Sequence, residues 1–521
     1  MKRSISVLYV LFFLSLYGCS FLGITDEKPA GEKAITSSSA KGYIDYLASD
    51  SLKGRDTPSP ELDSAAKFIS LHFESAGLRP LNGSYFQKVK MGYIRLGKEN
   101  FLKIRKGKEE AAFKLKDEFT PFEITADKEA SAAVVFAGYG IDAPEYNYND
   151  YENLDVKGKI VFVLRHEPGE NDPASIFKGK ELTKYSSVLE KTETAIKHGA
   201  IGVLICQDPL NHKLLTPRGF PWPSLSKFIP DKALPLSLLL DEKDKVPVVQ
   251  VGEEVINYLF GSTDKLRDIQ AGIDKNLKPS SFAIDGASAT LKTSTELQDE
   301  SADNVIGFIE GTDPVLKDEV LVIGAHYDHI GIKKNHAANE DYIFNGADDN
   351  ASGTTALMEV ADAFSANNLG PRRSILFIAF CGEEKGLFGS RYYVEYPLFP
   401  LSKTVAMLNI DMVGRNSIDS LSIFGAAAFP KITEIVKDKN SETGFNLVFD
   451  PVLNGGSDHM SFTRKKIPAL FFHSGIHQDL HQVSDEVRFI NYDKIAKAAK
   501  LVFRTAWQIA NEGDYYFPKS N

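Results

Sequence analysis

Apolar residues in the second half of the chain come in short unbroken runs separated by longer stretches with helical spacing. The runs at 320–325, 374–380, 405–410 and 469–473 are too short for core helices and too uniformly apolar for half-exposed strands. They read as strands covered on both faces, with further strands near 288–292, 304–310 and 421–424. Helical periodicity fills the intervals at 354–367, 386–396, 431–439 and 492–511. Such alternation predicts an α/β fold with a mixed, largely parallel sheet and helices on both faces. Open sheets of this kind bind ligands outside the carboxyl ends of their strands.

The first half has a different texture. Residues 37–50 and 61–77 show helical spacing, 86–122 alternates apolar and charged residues, and 132–141 is a stronger strand ending in a glycine-rich turn. From about 127 to 285 the order becomes strand 159–165, helix 186–198, strand 201–207 and strand 246–251. The expected organisation is a leader over 1–19, a polar tether over 20–39, the first part of a main domain over 40–126, a β-rich insert over 127–284, and the rest of the main domain over 285–521.

The leader carries Lys2 and Arg3, an apolar segment over 5–17, and then Leu16-Tyr17-Gly18-Cys19. That segment is shorter than the roughly 17–25 residues a membrane helix needs, so it reads as an export signal. Its ending resembles the lipobox of bacterial lipoproteins, which implies acylation of Cys19 and a protein anchored to a bacterial membrane, facing the periplasm or the exterior. Cys206 and Cys381 lie in apolar runs and imply no disulfide framework. A net charge of −10 without any basic cluster argues against a nucleic-acid partner. Nothing in the chain fixes an oligomeric state.

Polar groups with metal chemistry follow the apolar runs. His326 and Asp328 follow the first; Asp348 and Asp349 stand in the turn GADDNASG; Glu383 and Glu384 follow 374–380 in CGEEKG; and Asp411 follows 405–410 in NIDMVGR. GGSDHMSF adds Asp458 and His459, and HQDLHQVSDE adds His477 and His481. Adjacent buried aspartates repel and call for a cation or protonation, and imidazoles with carboxylates suit zinc. Outside these segments, His336 reads as a loop residue, and His166, His198 and His212 as solvated or hydrogen-bonded side chains without clustered ligand partners.

These motifs resemble those of the co-catalytic di-zinc exopeptidases, typified by bacterial leucyl-type aminopeptidase and aminopeptidase Y and including the glutamate carboxypeptidase II and transferrin receptor branch. The phrases GYGI, DVKGKIVFVLR and AIKHGAIGVLIC likewise resemble the protease-associated domain found inserted in such enzymes. The resemblance implies two zinc ions, one held by His326, Asp349 and Asp411 and the other by Asp349, Glu384 and His481, with Asp349 bridging. It implies that Asp328 orients His326, that Glu383 is the general base, and that the Asp349–Asn350 peptide is cis. The expected function is aminopeptidase action on peptides with a free N-terminus. A carboxypeptidase, a glutaminyl cyclase or a non-catalytic receptor-like relative are the alternatives, and Arg415 alone makes a thin case for a C-terminal carboxylate pocket.

Overall fold

A computed structural model describes residues 30–220, 222–225, 236–240, 245–450 and 456–513. The leader and Cys19 lie outside the described residues. Among the described residues, no helix is long and apolar enough to cross a membrane.

A nine-stranded sheet organises the main domain. Its strands run in the order Leu236–Leu238, Phe86–Leu96, Thr295–Ile309, Ser374–Phe380, Val320–His326, Thr404–Ile410, Ala469–His473, Ser420–Phe424 and Asn446–Asp450. The four strands from Ser374–Phe380 to Ala469–His473 are mutually parallel, and antiparallel strands flank them on both sides. These four are the runs whose uniform apolarity marked them as covered on both faces.

Alternate residues of the central strands enter different cores, because successive side chains point to opposite faces. Leu321, Ile323, Phe377 and Leu408 pack beneath Ser37–Leu47, Pro60–Ser75, Gly353–Ser365 and Tyr492–Asn511, whereas Val322, Ile378 and Met407 pack with Tyr393 and Phe462 of Phe388–Glu395 and His459–Arg464. The expected tether is ordered from Ala30 onward. Ala30–Ala34 forms a helical turn whose Glu32 accepts two hydrogen bonds from Arg504, at 2.6 and 2.7 Å, and Ser37 already opens a helix capped by Thr36. A polar stretch can thus be a docked segment when its few charges find partners across the fold.

A second, eight-stranded sheet runs Glu109–Phe113, Phe101–Lys106, Ser281–Thr293, Lys128–Ala137, Ile160–Leu164, Gly202–Cys206, Val248–Val251 and Phe119–Pro121. Four of its strands, from Lys128–Ala137 to Val248–Val251, are parallel. The insert is therefore wider than the expected 127–284: residues 101–121 and 285–293 pair in this sheet and not with the main domain. Alternating strands carry no mark of which sheet they join, because the partner is chosen at long range.

Two continuous ladders connect the sheets. Phe86–Leu96 pairs with Thr295–Ile309 in one, Phe101–Lys106 pairs with Ser281–Thr293 in the other, and only Gly97–Asn100 and Ser294 intervene. There Gly97 N donates to Ser294 O at 2.8 Å and Ser294 N donates to the Asn100 side chain at 2.9 Å, so the paired backbone runs almost unbroken from one sheet to the other. In return, Leu236–Leu238 of the insert crosses back to pair with Phe86–Leu96 at the edge of the main sheet.

Candidate metal centre

Every segment expected to bear chemistry ends beside its neighbours at the carboxyl edge of the parallel strands. His326 closes its strand; Glu383 and Glu384 follow Ser374–Phe380; Asp411 follows Thr404–Ile410. After Phe380 the backbone leaves the strand through Gly382 at φ 67° and Gly386 at φ 102°, with Gly386 N and Leu387 N both donating to Glu383 O at 2.8 Å. The turn lets two adjacent glutamates serve one cleft, which strand geometry would forbid.

Asp349 stands at the middle. Its Oδ1 is 3.4 Å from His326 Nε2, which is itself 3.3 Å from Asp411 Oδ1; its Oδ2 is 3.1 Å from His481 Nε2, which is 3.1 Å from Glu384 Oε2. One carboxylate thus offers a different oxygen to each of two donor groups. A tetrahedral zinc ion with bonds of about 2.0–2.1 Å sets neighbouring donor atoms roughly 3.3 Å apart, and the four separations scatter around that value. Asp411 Oδ1 is buried without any hydrogen bond although His326 Nε2 is close by, as expected of an atom aimed at a shared centre. The donor set fits zinc.

Charge points the same way. Burial raises the carboxyls of Glu383 and Asp349 above the usual range, and burial lifts Asp458 to about 7. Burial would also raise Glu384, but His329 and His481 more than offset it and hold that carboxyl below the usual range. Contacts with Asp349 and Glu384 push His481 up to about 10. Such a concentration of buried carboxylates draws positive charge from whatever is near.

The surrounding residues fix the loops. Arg55, 1% exposed, donates to the carbonyls of Leu47, Tyr327, Asn345, Gly346 and Asp349. Asp485 accepts from the amides of Asp348 and Asp349, and Asn350 accepts from the amides of Gly353 and Met412. Gly346, at φ 56°, passes so close to Asp349 and the His329 ring that a Cβ there would overlap both. The Asp349–Asn350 peptide is cis.

Asp348, adjacent to Asp349, turns away: its carboxylate accepts from Gly414 N at 2.7 Å and faces His477 Nε2 at 3.2 Å. His477 therefore lies outside the donor group that contains His481. His336 is exposed and stacks on Tyr342. The Asp328 carboxylate accepts from Glu383 N and from the Thr57 hydroxyl, both at 3.1 Å, and sits 3.6 Å from His326 Nδ1, which is closer, at 3.3 Å, to the Asp328 backbone carbonyl. Asp328 thus positions the Glu383 turn as directly as it positions His326. Glu383 has an oxygen near the donor atoms of His326 and Asp411, all within 4.8 Å of one another.

His329 is the residue the sequence reading passed over. It is fully buried, with Nδ1 2.9 Å from Glu384 Oε1 and 3.7 Å from Asp349 Oδ2, and neither ring nitrogen makes a hydrogen bond. Its only signal was adjacency to Asp328 in HYDHIG. Arg55 is remote in sequence from every motif, and Asp485, although it stands in HQDLHQVSDE, was not singled out there.

Residues 304–506 match the model of Peptidase family M28. Aminopeptidase YwaD of Bacillus subtilis (strain 168) is 26% identical over 393 residues, covering 73% of this chain and 69% of that protein. A glutamate carboxypeptidase 2 homologue of Caenorhabditis elegans is 26% identical over 399 residues, covering 64% of this chain and 47% of its own length, so the chain spans about half of that relative. The solved aminopeptidase from Aneurinibacillus sp. strain AM-1 aligns with a TM-score of 0.46 at 22% identity, over 94% of this chain and 98% of that one. The donor set lies within residues 304–506, the part of the chain that matches the model of Peptidase family M28.

Proposed function

We propose that this protein is an exported zinc aminopeptidase that removes N-terminal residues from peptides. The observation that carries the reading is Asp349, whose two oxygens face His326 on one side and His481 on the other. His326, Asp349 and Asp411 would hold one zinc ion, and Asp349, Glu384 and His481 the second. The ions would acidify the attacking water and polarise the scissile carbonyl. Glu383, held by the turn that Asp328 anchors, takes the proton of that water and returns it to the leaving amine.

Carboxypeptidase action, which the name of the nematode relative raises, needs a cation free to bind a C-terminal carboxylate. Arg415 is not free: it lies 2.6 Å from Asp479 and 3.7 Å from Asp485. The deciding experiment compares unblocked, N-acetylated and C-amidated peptides with zinc quantified on the same sample. Cleavage only of free N-termini is expected; cleavage of acetylated peptides that requires a free C-terminus would overturn the reading. The proposed lipid anchor predicts that the mature protein begins with an acylated Cys19 and that Cys19→Ser releases it from the membrane fraction. An unmodified mature N-terminus in mass spectrometry would exclude the anchor.

A further inference from the structure

The insert repeats, on its own sheet, the arrangement that builds the main centre. Ile160–Leu164 and Gly202–Cys206 are adjacent parallel strands with Leu164 opposite Cys206, so His166 and Asp208, two residues further along each, emerge side by side at the carboxyl edge. Each strand is followed by a turn that brings in a second donor four residues later: Glu170 after His166 in HEPGE, and His212 after Asp208 in DPLNH. The left-handed backbone at His166 and Gly169 folds the first turn back, and His212 N donating to Asp208 O at 3.2 Å closes the second.

Four donor side chains converge as a result. His166 Nδ1 lies 2.7 Å from Asp208 Oδ1 and 3.4 Å from Glu170 Oε2; His212 Nε2 lies 2.5 Å from Glu170 Oε1 and 3.6 Å from Asp208 Oδ1. The same nitrogen of each ring faces both carboxylates, which a pair of separate hydrogen bonds does not require. His212 Nε2 is buried and makes no well-formed hydrogen bond although Glu170 Oε1 lies 2.5 Å away. This corrects the expectation that His166 and His212 lack clustered partners; the partners are supplied by the pairing of two strands, which no local spacing reveals.

The support around the cluster is that of a ligand set. Asp208 is fully buried, and its other oxygen, Oδ2, accepts from the side-chain amides of Gln270 at 3.1 Å and Asn211 at 3.2 Å, leaving Oδ1 to the imidazoles. Gln270 is locked in turn by Tyr139 and by the amide of Leu210. Outer partners of this kind hold a ligating carboxylate in orientation. Exposure rises from Asp208 at 0% through Glu170 at 9% and His166 at 16% to His212 at 36%, which leaves a path for an ion to enter. Two imidazole nitrogens and two carboxylate oxygens around one point suit tetrahedral zinc, closed to substrate when all four bind.

We propose that His166, Glu170, Asp208 and His212 form a structural zinc site that fastens together the two loops at the carboxyl edge of the insert's sheet. The site is separate from the co-catalytic centre and does not depend on the peptidase reading. The test uses the full mature chain, loaded with zinc and freed of loosely held metal. His166→Ala/His212→Ala should carry one equivalent of zinc less than the parent, with peptide hydrolysis within about two-fold. In His212→Gln, which keeps a hydrogen-bonding group at the most exposed position, zinc affinity at this site should fall by at least ~10-fold, more than losing an outer partner would cause at its mildest. Titration with cobalt(II) of an Asp349→Ala/Asp411→Ala variant, which removes the co-catalytic donors, should still give the visible absorption of a tetrahedral cobalt site, and adding His212→Gln should abolish it. Unchanged zinc content and cobalt absorption in His212→Gln would overturn the proposal and leave a hydrogen-bonded cluster. That result is readable even if the double alanine variant does not fold, and an inactive enzyme alters neither the zinc content nor the cobalt absorption.

Discussion

The two polar clusters sit in the same topological position, at the carboxyl ends of adjacent parallel strands, yet are assembled by different means. The main centre gathers His326, Asp349, Glu384, Asp411 and His481 from five separate segments, and a buried Arg55 and Asp485 tie the loops that present them. The insert's cluster needs only two turns, each supplying a donor pair four residues apart, and one buried amide clamp. Five segments can leave donors unevenly shared and a reacting position open; two short turns close around one point. The comparison teaches that a sheet edge gathers imidazoles and carboxylates in two ways, from five segments in one cluster and from two short turns in the other.

The contrast predicts that activity is concentrated in the first cluster, and the largest effect should come from the residue that only that cluster has. Glu383→Gln is expected to lower kcat by at least ~100-fold with zinc content unchanged, as measured by steady-state hydrolysis and metal analysis on one sample. Full activity in that variant would move proton transfer to another group. Next, His481→Ala should lose one zinc ion and recover part of its activity as zinc is added, whereas His477→Ala should keep both; the reverse pattern would exchange their places in the centre.

Asp328→Asn sharpens the comparison, because its carboxylate anchors the Glu383 turn as well as standing behind His326. A loss of about 10–100-fold in activity is expected, and a drop in kcat that excess zinc does not reverse would identify the Glu383 turn as the part affected. Arg55→Met probes the scaffold that the insert's cluster lacks: leaving several buried carbonyls without their donor should cost on the order of 3 kcal/mol in denaturant unfolding. A stability unchanged by that substitution would show that the loops hold themselves.

The smallest effect concerns a buried carboxylate that meets the Thr36 amide and the Ser39 side chain and no converging donor set. Glu359 accepts from Thr36 N at 2.9 Å, and burial lifts its carboxyl to about 7 from 4.5. A folded-state value above the unfolded one means that its contribution to stability is complete below pH 4.5 and is lost as the pH rises towards 7. Glu359→Gln should therefore raise the stability at pH 8 by roughly 1–2 kcal/mol relative to the parent, with the advantage vanishing near pH 4.5. An advantage independent of pH would mean that the native carboxyl ionises normally.

The sequence was most informative where structure is local. Strands buried on both faces announced themselves as apolar runs, and Ser374–Phe380, Ala469–His473 and the helix Tyr492–Asn511 begin and end where the pattern changes. The same runs indicated which polar residues would share an edge, since His326, Glu383 and Asp411 follow them directly. The strand Ser281–Thr293 and the strand Thr295–Ile309 were legible only in part, because their partners are chosen at long range, on Lys128–Ala137 for the first and on Phe86–Leu96 and Ser374–Phe380 for the second. Glu253–Phe260 and Thr263–Asn276, helices lying between weakly patterned segments, were not read at all. His329, His166 and His212 share one reason for being missed: each becomes significant only when a turn or a strand pairing brings carboxylates to it.

The double ladder between the sheets has a consequence for how such a chain can be taken apart. Leu96 and Thr295 face each other on the last rung of the main-sheet ladder, so excising the intervening residues and closing the gap with a two-residue turn would convert the junction into an ordinary hairpin. The excised piece also contains Leu236–Leu238, which pairs with Met91–Tyr93 at the middle of Phe86–Leu96. A trimmed protein would thus lose the cover over the centre of that edge strand, which carries Lys88, Lys90 and Arg95, and self-association along it is what such a surgery would have to overcome.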